Sequence, residues 1–197
     1  ILLCVGYFQI HKNMIKQIFN KLINKYFNSK KSSIKLNIAE HKDIDFIMWC
    51  IDDGVKHGHF INISKENIEK VITTFSLSKI FIINFNTVPI GIIIENHLLH
   101  YYDHYIINHS NNQKLYGLEI NVLYIKKEFR NKGVGSAIIT YYEKETDYNK
   151  ILVRCEQNNS KKSINFFEKL GYKKIGFDKQ SKHNMTHIIL EKNLQKE

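Results

Sequence analysis

Along the chain the apolar positions switch between two spacings, and the switches predict the elements. Alternation over Ile34 to Ile38 predicts a short strand. Ile44, Ile47, Met48, Ile51 and Val55 then share one face of a helix that Asp43 can cap. Behind Ser64, Ile68, Val71, Ile72 and Phe75 mark a second helix. Strands are predicted over Lys79 to Asn84 and Val88 to Glu95, joined by a tight turn at Asn86-Thr87. Pro89, the only proline, sits near a strand start, where a missing amide is tolerated. Residues 97 to 115 are polar, aromatic and histidine-rich and read as a long surface loop. After it come a strand over Leu118 to Ile125, a helix from Gly133 to Thr146, a strand from Ile151 to Glu156 and a helix from Ser160 to Leu170. Two strands, Tyr172 to Phe177 and His187 to Glu191, close the order. The prediction is an α/β domain with no internal repeat.

Residues 1 to 32 follow a different pattern. Ile10, Met14, Ile18, Leu22 and Tyr26 recur every four residues, with Lys12, Lys16, Lys21 and Lys25 between them, which predicts a basic amphipathic helix. Two readings stand: the helix packs on the domain or on a dimer mate, or residues 10 to 28 lie on a membrane surface. Lys30-Lys31-Ser32-Ser33 forms a polar hinge, so the chain divides into an extension, 1 to 32, and one domain, 33 to 197.

Charge changes the picture only slightly. The net charge is +10, but the extension holds six lysines and no acid, leaving 29 − 6 = 23 basic against 19 acidic residues in the domain. Arg130 and Arg154 are the only arginines, too few for a nucleic-acid footprint, and no nucleic-acid partner is expected. No apolar stretch approaches the roughly 20 residues that span a bilayer. Cys4, Cys50 and Cys155 form no CxxC pair and no zinc spacing, which points to a reduced, cytoplasmic setting.

The candidate chemistry starts at Arg130-Asn131-Lys132-Gly133-Val134-Gly135, a basic loop between a strand and a helix. Unpaired amides at a helix start converge on one point and can cradle a pyrophosphate. Gly133 and Gly135 lack the Cβ atoms that would hold phosphate oxygens away, and Arg130 and Lys132 add charge. The helix dipole adds about 0.3 to 1 kcal/mol. Plain turn glycines would give the same GxG. A P-loop is absent, and a dinucleotide fingerprint would want a small residue where Ile138 stands.

Read whole, Leu123 to Gly135 resembles the acetyl-CoA-binding signature of the GCN5-related N-acetyltransferase (GNAT) superfamily, with its Arg/Gln-x-x-Gly-x-Gly/Ala core. Ser160 to Tyr172 resembles the family pattern N-x-x-A-x-x-F-Y-E-K-L-G-F. The resemblance implies a mixed, mostly antiparallel sheet of six to seven strands flanked by helices, with the N-terminal helix as an extra. It implies acetyl-CoA as the acyl donor and a primary amine, on a small molecule or a peptide, as acceptor. It places the pyrophosphate on the amides of Arg130, Asn131, Lys132, Gly133, Val134, Gly135 and Ser136, with Ser160 also at the cofactor. The pantetheine arm would pair with Leu123, Tyr124 and Ile125, on a strand that splays from its neighbour, and the Leu123 amide would polarise the thioester carbonyl. Ser160, Ser163 and Phe167 depart from the second motif. In many members the residue at 167 is a tyrosine that protonates the leaving thiolate, so here the acid is another tyrosine, a water, or none. A non-catalytic acyl-CoA-binding or interaction domain is the alternative reading.

An ammonium acceptor must lose a proton before it attacks. Glu119, eleven residues before Arg130, stands at the spacing that some members use for a general base. Desolvation by Leu118, Ile120 and Val122 would make it more basic, and Asn121 would share its face and position a water. The bland reading is a surface glutamate paired with a lysine. His57, His59 and Phe60 lie in the segment that borders the acceptor pocket in the family, although surface histidines and a core phenylalanine fit equally. Trp49 and Tyr141 read as core. His97, His100, His104 and His109 are spaced as a solvated loop rather than a metal site, so no metal is expected.

Overall fold

The β-branched runs pair into one sheet, and two helix pairs bury its faces. The computed structural model describes residues 34–59, 62–74, 78–98, 105–107, 110–111, 117–156, 161–180 and 185–195. The predicted N-terminal helix, Cys4, Phe60, Phe75, His100, His104, His109 and Ser160 lie outside them. The strands are β1 (Ile34–Ile38), β2 (Ser78–Phe85), β3 (Val88–Leu98), β4 (Tyr105–Ile107), β5 (Ser110–Asn111), β6 (Gly117–Ile125), β7 (Lys150–Glu156), β8 (Lys173–Gln180) and β9 (Met185–Asn193). The helices are α1 (Ile44–Lys56), α2 (Lys65–Thr74), α3 (Val134–Glu145) and α4 (Lys161–Lys169).

The sheet order is β1-β2-β3-β6-β7-β9-β8-β4-β5, and β6 with β7 is its parallel pair. The seven expected strands are all present. The expected 97–115 loop is corrected in two ways: His97 and Leu98 finish β3, and β4 and β5 add two short strands at the sheet edge, with β4 pairing β8. Backbone pairing at an open edge recruited a segment whose side chains carry no strand pattern.

On one face Ile83, Ile93, Leu118 and Ile120 meet Val134, Ile138 and Tyr142 of α3 and Phe167 of α4. On the other, Ile82, Ile92, Ile94, Val122 and Tyr124 meet Ile47, Cys50 and Ile51 of α1 and Ile68 of α2. Each fully buried side chain of this size stabilises by about 1.5 to 3 kcal/mol. Burial pushes the Cys50 and Cys155 thiols up to about 12. Ser64 caps α2 as expected, its Oγ accepting the Asn67 amide at 3.3 Å. Asp43 does not cap α1 through its side chain. Its carboxylate instead accepts the Glu40 amide at 2.9 Å, closing the short 3-10 turn His41–Asp43. Trp49 is corrected as well: it is 48% exposed, its ring stacked near Phe46 and under the Lys126 ammonium.

Two irregularities shape the centre. Opposite β2, Ile83 pairs with Gly91 and Asn84 with Pro89, so Ile90 is an extra residue and the proline sits at a bulge. Opposite β3, Ile94 faces Val122 and Glu95 faces Ile120, so Asn121 is an extra residue in β6. Before Asn121 the even-numbered side chains face α3 and α4; after it they face α1 and α2.

Candidate active site

β6 and β7 part after a short parallel stretch. Leu118, Glu119 and Ile120 pair with Ile151, Leu152 and Val153, while the register continues no further along β7. On its other side β6 stays paired with β3 as far as Ile125. A cleft of about 300 Å³ opens along this second half, lined by Leu123, Ile125, Arg130, Asn131, Gly133, Gly135, Ser136 and Phe166.

The loop above the cleft is shaped by its backbone. Asn131 (φ 59°) and Gly133 (φ 77°) both take the left-handed conformation, and Gly133 stands at the N-cap of α3. The first intrahelical bond runs from the Ala137 amide to the Gly133 carbonyl at 3.0 Å, so the amides of Val134, Gly135 and Ser136 precede it and have no acceptor within the helix. The two glycines serve different ends than phosphate clearance alone. A Cβ on Gly133 would meet nothing within 4 Å, so its backbone angle is what requires glycine. A Cβ on Gly135 would lie 3.2 Å from Phe166 Cζ, so its hydrogen makes room for the ring that walls the cleft.

The predicted cofactor residues divide between those that line the cleft and those that do not. Leu123, Ile125, Arg130, Asn131, Gly133, Gly135 and Ser136 line the cleft. Tyr124 points to the opposite face, Val134 is core, and Lys132 is not part of the lining. Phe166 was not anticipated, although it lies inside the second motif next to Phe167. Phe167 itself is buried against Tyr172, their ring centroids 5.2 Å apart.

Arg130 is turned toward the strand rather than to the loop's open side. Its Nε donates to the Ile125 carbonyl at 2.6 Å, its guanidinium lies over the Tyr124 ring, and one terminal nitrogen is 3.1 Å from His59 Nε2. Tyr124 in turn donates its hydroxyl proton to the Asp53 carboxylate at 2.5 Å, and His57 Nδ1 lies 2.7 Å from the Asp53 carbonyl. This chain of contacts ties the end of α1 to the loop. The hydrogen bond from Tyr124 holds the Asp53 carboxyl below its ordinary value, and burial, with that bond, raises the Tyr124 phenol. Burial and then the Arg130 charge lower His59, which favours the neutral ring.

Glu119 lies at the fork where β6 and β7 part, buried with 1% exposure, on the α1/α2 face. Of the three residues expected to wall its carboxylate, Leu118 and Ile120 point to the opposite face, while Val122 belongs to the α1/α2 face. The carboxylate is paired instead with Arg154 Nε. Asn121 is exposed at the bulge, so strict alternation does not align it with Glu119. Among the described residues no group of three or more His, Cys, Asp or Glu is placed to hold a metal ion. No helix among them is long and apolar enough to cross a membrane.

The parted parallel pair beside a glycine-shaped helix start is the arrangement that the resemblance implies, and comparison with known proteins agrees. The chain belongs to the acetyltransferase (GNAT) domain family, whose model matches residues 63–194. Among solved structures, an acetyltransferase of the GNAT family from Streptococcus agalactiae aligns with TM-score 0.64 at 13% identity, covering 83% of this chain and 96% of that one. An N-acetyltransferase from Staphylococcus aureus aligns with TM-score 0.57 at 16% identity, covering 83% and 100%. The Salmonella typhimurium protein yncA, solved with its cofactor acetyl-CoA, aligns with TM-score 0.58 at 14% identity, covering 84% and 96%. No curated protein sequence matches the chain. The protein is an acyltransferase of the GNAT family.

Proposed function

We propose that this protein transfers an acetyl group from acetyl-CoA to a primary amine by direct attack on the thioester. The observation that carries the proposal is the cleft along the half of β6 that β7 leaves, with Leu123 and Ile125 on its wall and the start of α3 at its end. The pyrophosphate sits against the amides of Val134, Gly135 and Ser136. The pantetheine arm runs along Leu123 to Ile125, and the Leu123 amide donates to the thioester oxygen as negative charge grows there. The acceptor approaches from the α1 side, where His57, His59 and Asn121 are exposed.

In the reaction the acceptor ammonium gives a proton to Glu119, directly or through a water, and its nitrogen lone pair attacks the thioester carbon. The C–S bond breaks, the sulfur leaves as the coenzyme thiolate, and the second proton on the attacking nitrogen passes to the thiolate or to water, which leaves the neutral amide. Phe167 has no proton to give it, and a thiol that ionises near pH 8.5 leaves adequately without one. Arg154 keeps the Glu119 carboxylate in place at the fork. As a proton acceptor Glu119 works beside the Arg154 cation.

Two measurements test the reading. Acetyl-CoA should raise the melting temperature, and Gly135→Glu should abolish the shift, because the new side chain meets Phe166 and brings a negative charge to the phosphate site. Absence of any shift at millimolar coenzyme sinks the proposal. Thiol release with a panel of amines then follows catalysis: Glu119→Gln should lower kcat/KM by about a hundredfold, and an unchanged rate near neutral pH removes Glu119 from the mechanism.

A further inference from the structure

Helix α3 borders two cavities, one at each end. Beyond its C-terminus, against the ends of β1, β2 and β3, lies a second cavity of about 330 Å³, similar in size to the coenzyme cleft and sharing no lining residue with it. On its floor is Glu95, 4% exposed. The Tyr142 hydroxyl donates to this carboxylate, and His97 Nε2 lies 3.3 Å from its other oxygen. His97 Nδ1 is 2.8 Å from the Tyr148 hydroxyl, so the ring is held on both sides.

The walls are apolar and aromatic, formed by Leu36, Phe81 and Tyr141. The mouth carries Glu145 and Asp147, both exposed. Three carboxylates thus line the cavity against one lysine, Lys79, the cross-strand neighbour of Glu95, and one imidazole, His97, which is paired with Glu95. The last turn of α3 adds the negative pole of its dipole, which favours a cation. An anion would meet repulsion from floor, mouth and helix end together. A cation with an apolar body would find both a compensating field and a surface of carbon, with ring faces able to attract it further.

We infer that this cavity binds a small organic ammonium ion, at a site separate from the acceptor pocket and independent of acetyl transfer. N,N-dimethylphenethylamine is a suitable probe: it is cationic near neutral pH, and its tertiary nitrogen has no hydrogen to exchange for an acetyl group, so it is no acceptor. Calorimetric titration of the full chain should show one site. The double variant Glu145→Gln/Asp147→Asn should weaken it by about tenfold or more, while the melting shift caused by acetyl-CoA stays as in the wild type. The anionic analogue 4-phenylbutanoate should not bind. The inference is overturned by absence of binding at millimolar probe, by unchanged affinity in the double variant, or by equal binding of the anion. Failure of the acetyltransferase reading would show separately, as a missing coenzyme shift.

Discussion

The two halves of β6 have nearly the same apolar composition and opposite uses. From Leu118 to Ile120 the strand is held on both sides, by β3 and by β7. From Asn121 to Ile125 it keeps only β3, and its other edge borders the cleft. Side-chain type does not distinguish them, since Leu118 and Ile120 differ little from Leu123 and Ile125. What differs is the partner. In the closed half the backbone groups serve the ladder, and the one charged side chain, Glu119, is buried with Arg154. In the open half one side of the backbone faces the cleft, and the bulge at Asn121 marks the change. A ligand site here is a stretch of sheet that lacks one neighbour.

Removing the ion pair at the end of the closed half should have the largest effect on folding. Arg154→Leu removes the cation paired with the buried Glu119 carboxylate and should cost about 3 to 5 kcal/mol in chemical denaturation. The double variant Glu119→Met/Arg154→Leu should regain most of that. A single variant with the wild-type midpoint would show that the fork is held by backbone pairing alone.

The open half is more sensitive to the backbone that supports it. Gly91 faces Ile125, and a Cβ there would fall within contact distance of the Tyr124 carbonyl oxygen, which cannot rotate away. Gly91→Ala should therefore cost about 1 to 3 kcal/mol and weaken acetyl-CoA binding by more than that loss alone explains, because the displaced strand edge is the wall proposed for the pantetheine arm. Equal effects of this substitution and of Arg154→Leu on coenzyme affinity would erase the distinction between the halves.

The smallest expected effect is a pH dependence at the loop over the open half. Folding lowers His59 below its ordinary 6.5, so its contribution is complete above that value and is lost as pH falls through the lowered one. On protonation Nε2 can no longer accept the Arg130 hydrogen bond, and two cations face each other. Stability measured across the mildly acidic range should fall more steeply for the wild type than for His59→Asn. Parallel slopes would show that the Arg130 contact does not hold the loop.

Much of this site could be read from local sequence. The period change at Gly133, the loop Arg130 to Gly135 and the motif ending at Tyr172 point to the strand and the helices that border the cleft, and most of the named residues line it. Phe166 was missed because two adjacent phenylalanines give no sign of which faces the core; the space left by Gly135 settles that. Trp49 was misplaced because a helix face is amphipathic only on average, and a cation can cover a ring that the core does not.

By itself the sequence determined seven of the nine described strands, the four described helices and the glycine loop before α3, because these follow from period-2 and period-3.6 patterns and from the freedom of glycine at positive φ. Tertiary structure alone decided where β6 loses β7, which cation meets Glu119, and that a second, acidic cavity closes around Glu95. Those depend on register between segments far apart in the chain. One extra residue, Asn121, changes which face every later side chain of β6 presents, and an apolar run conceals that shift until its neighbours are in place.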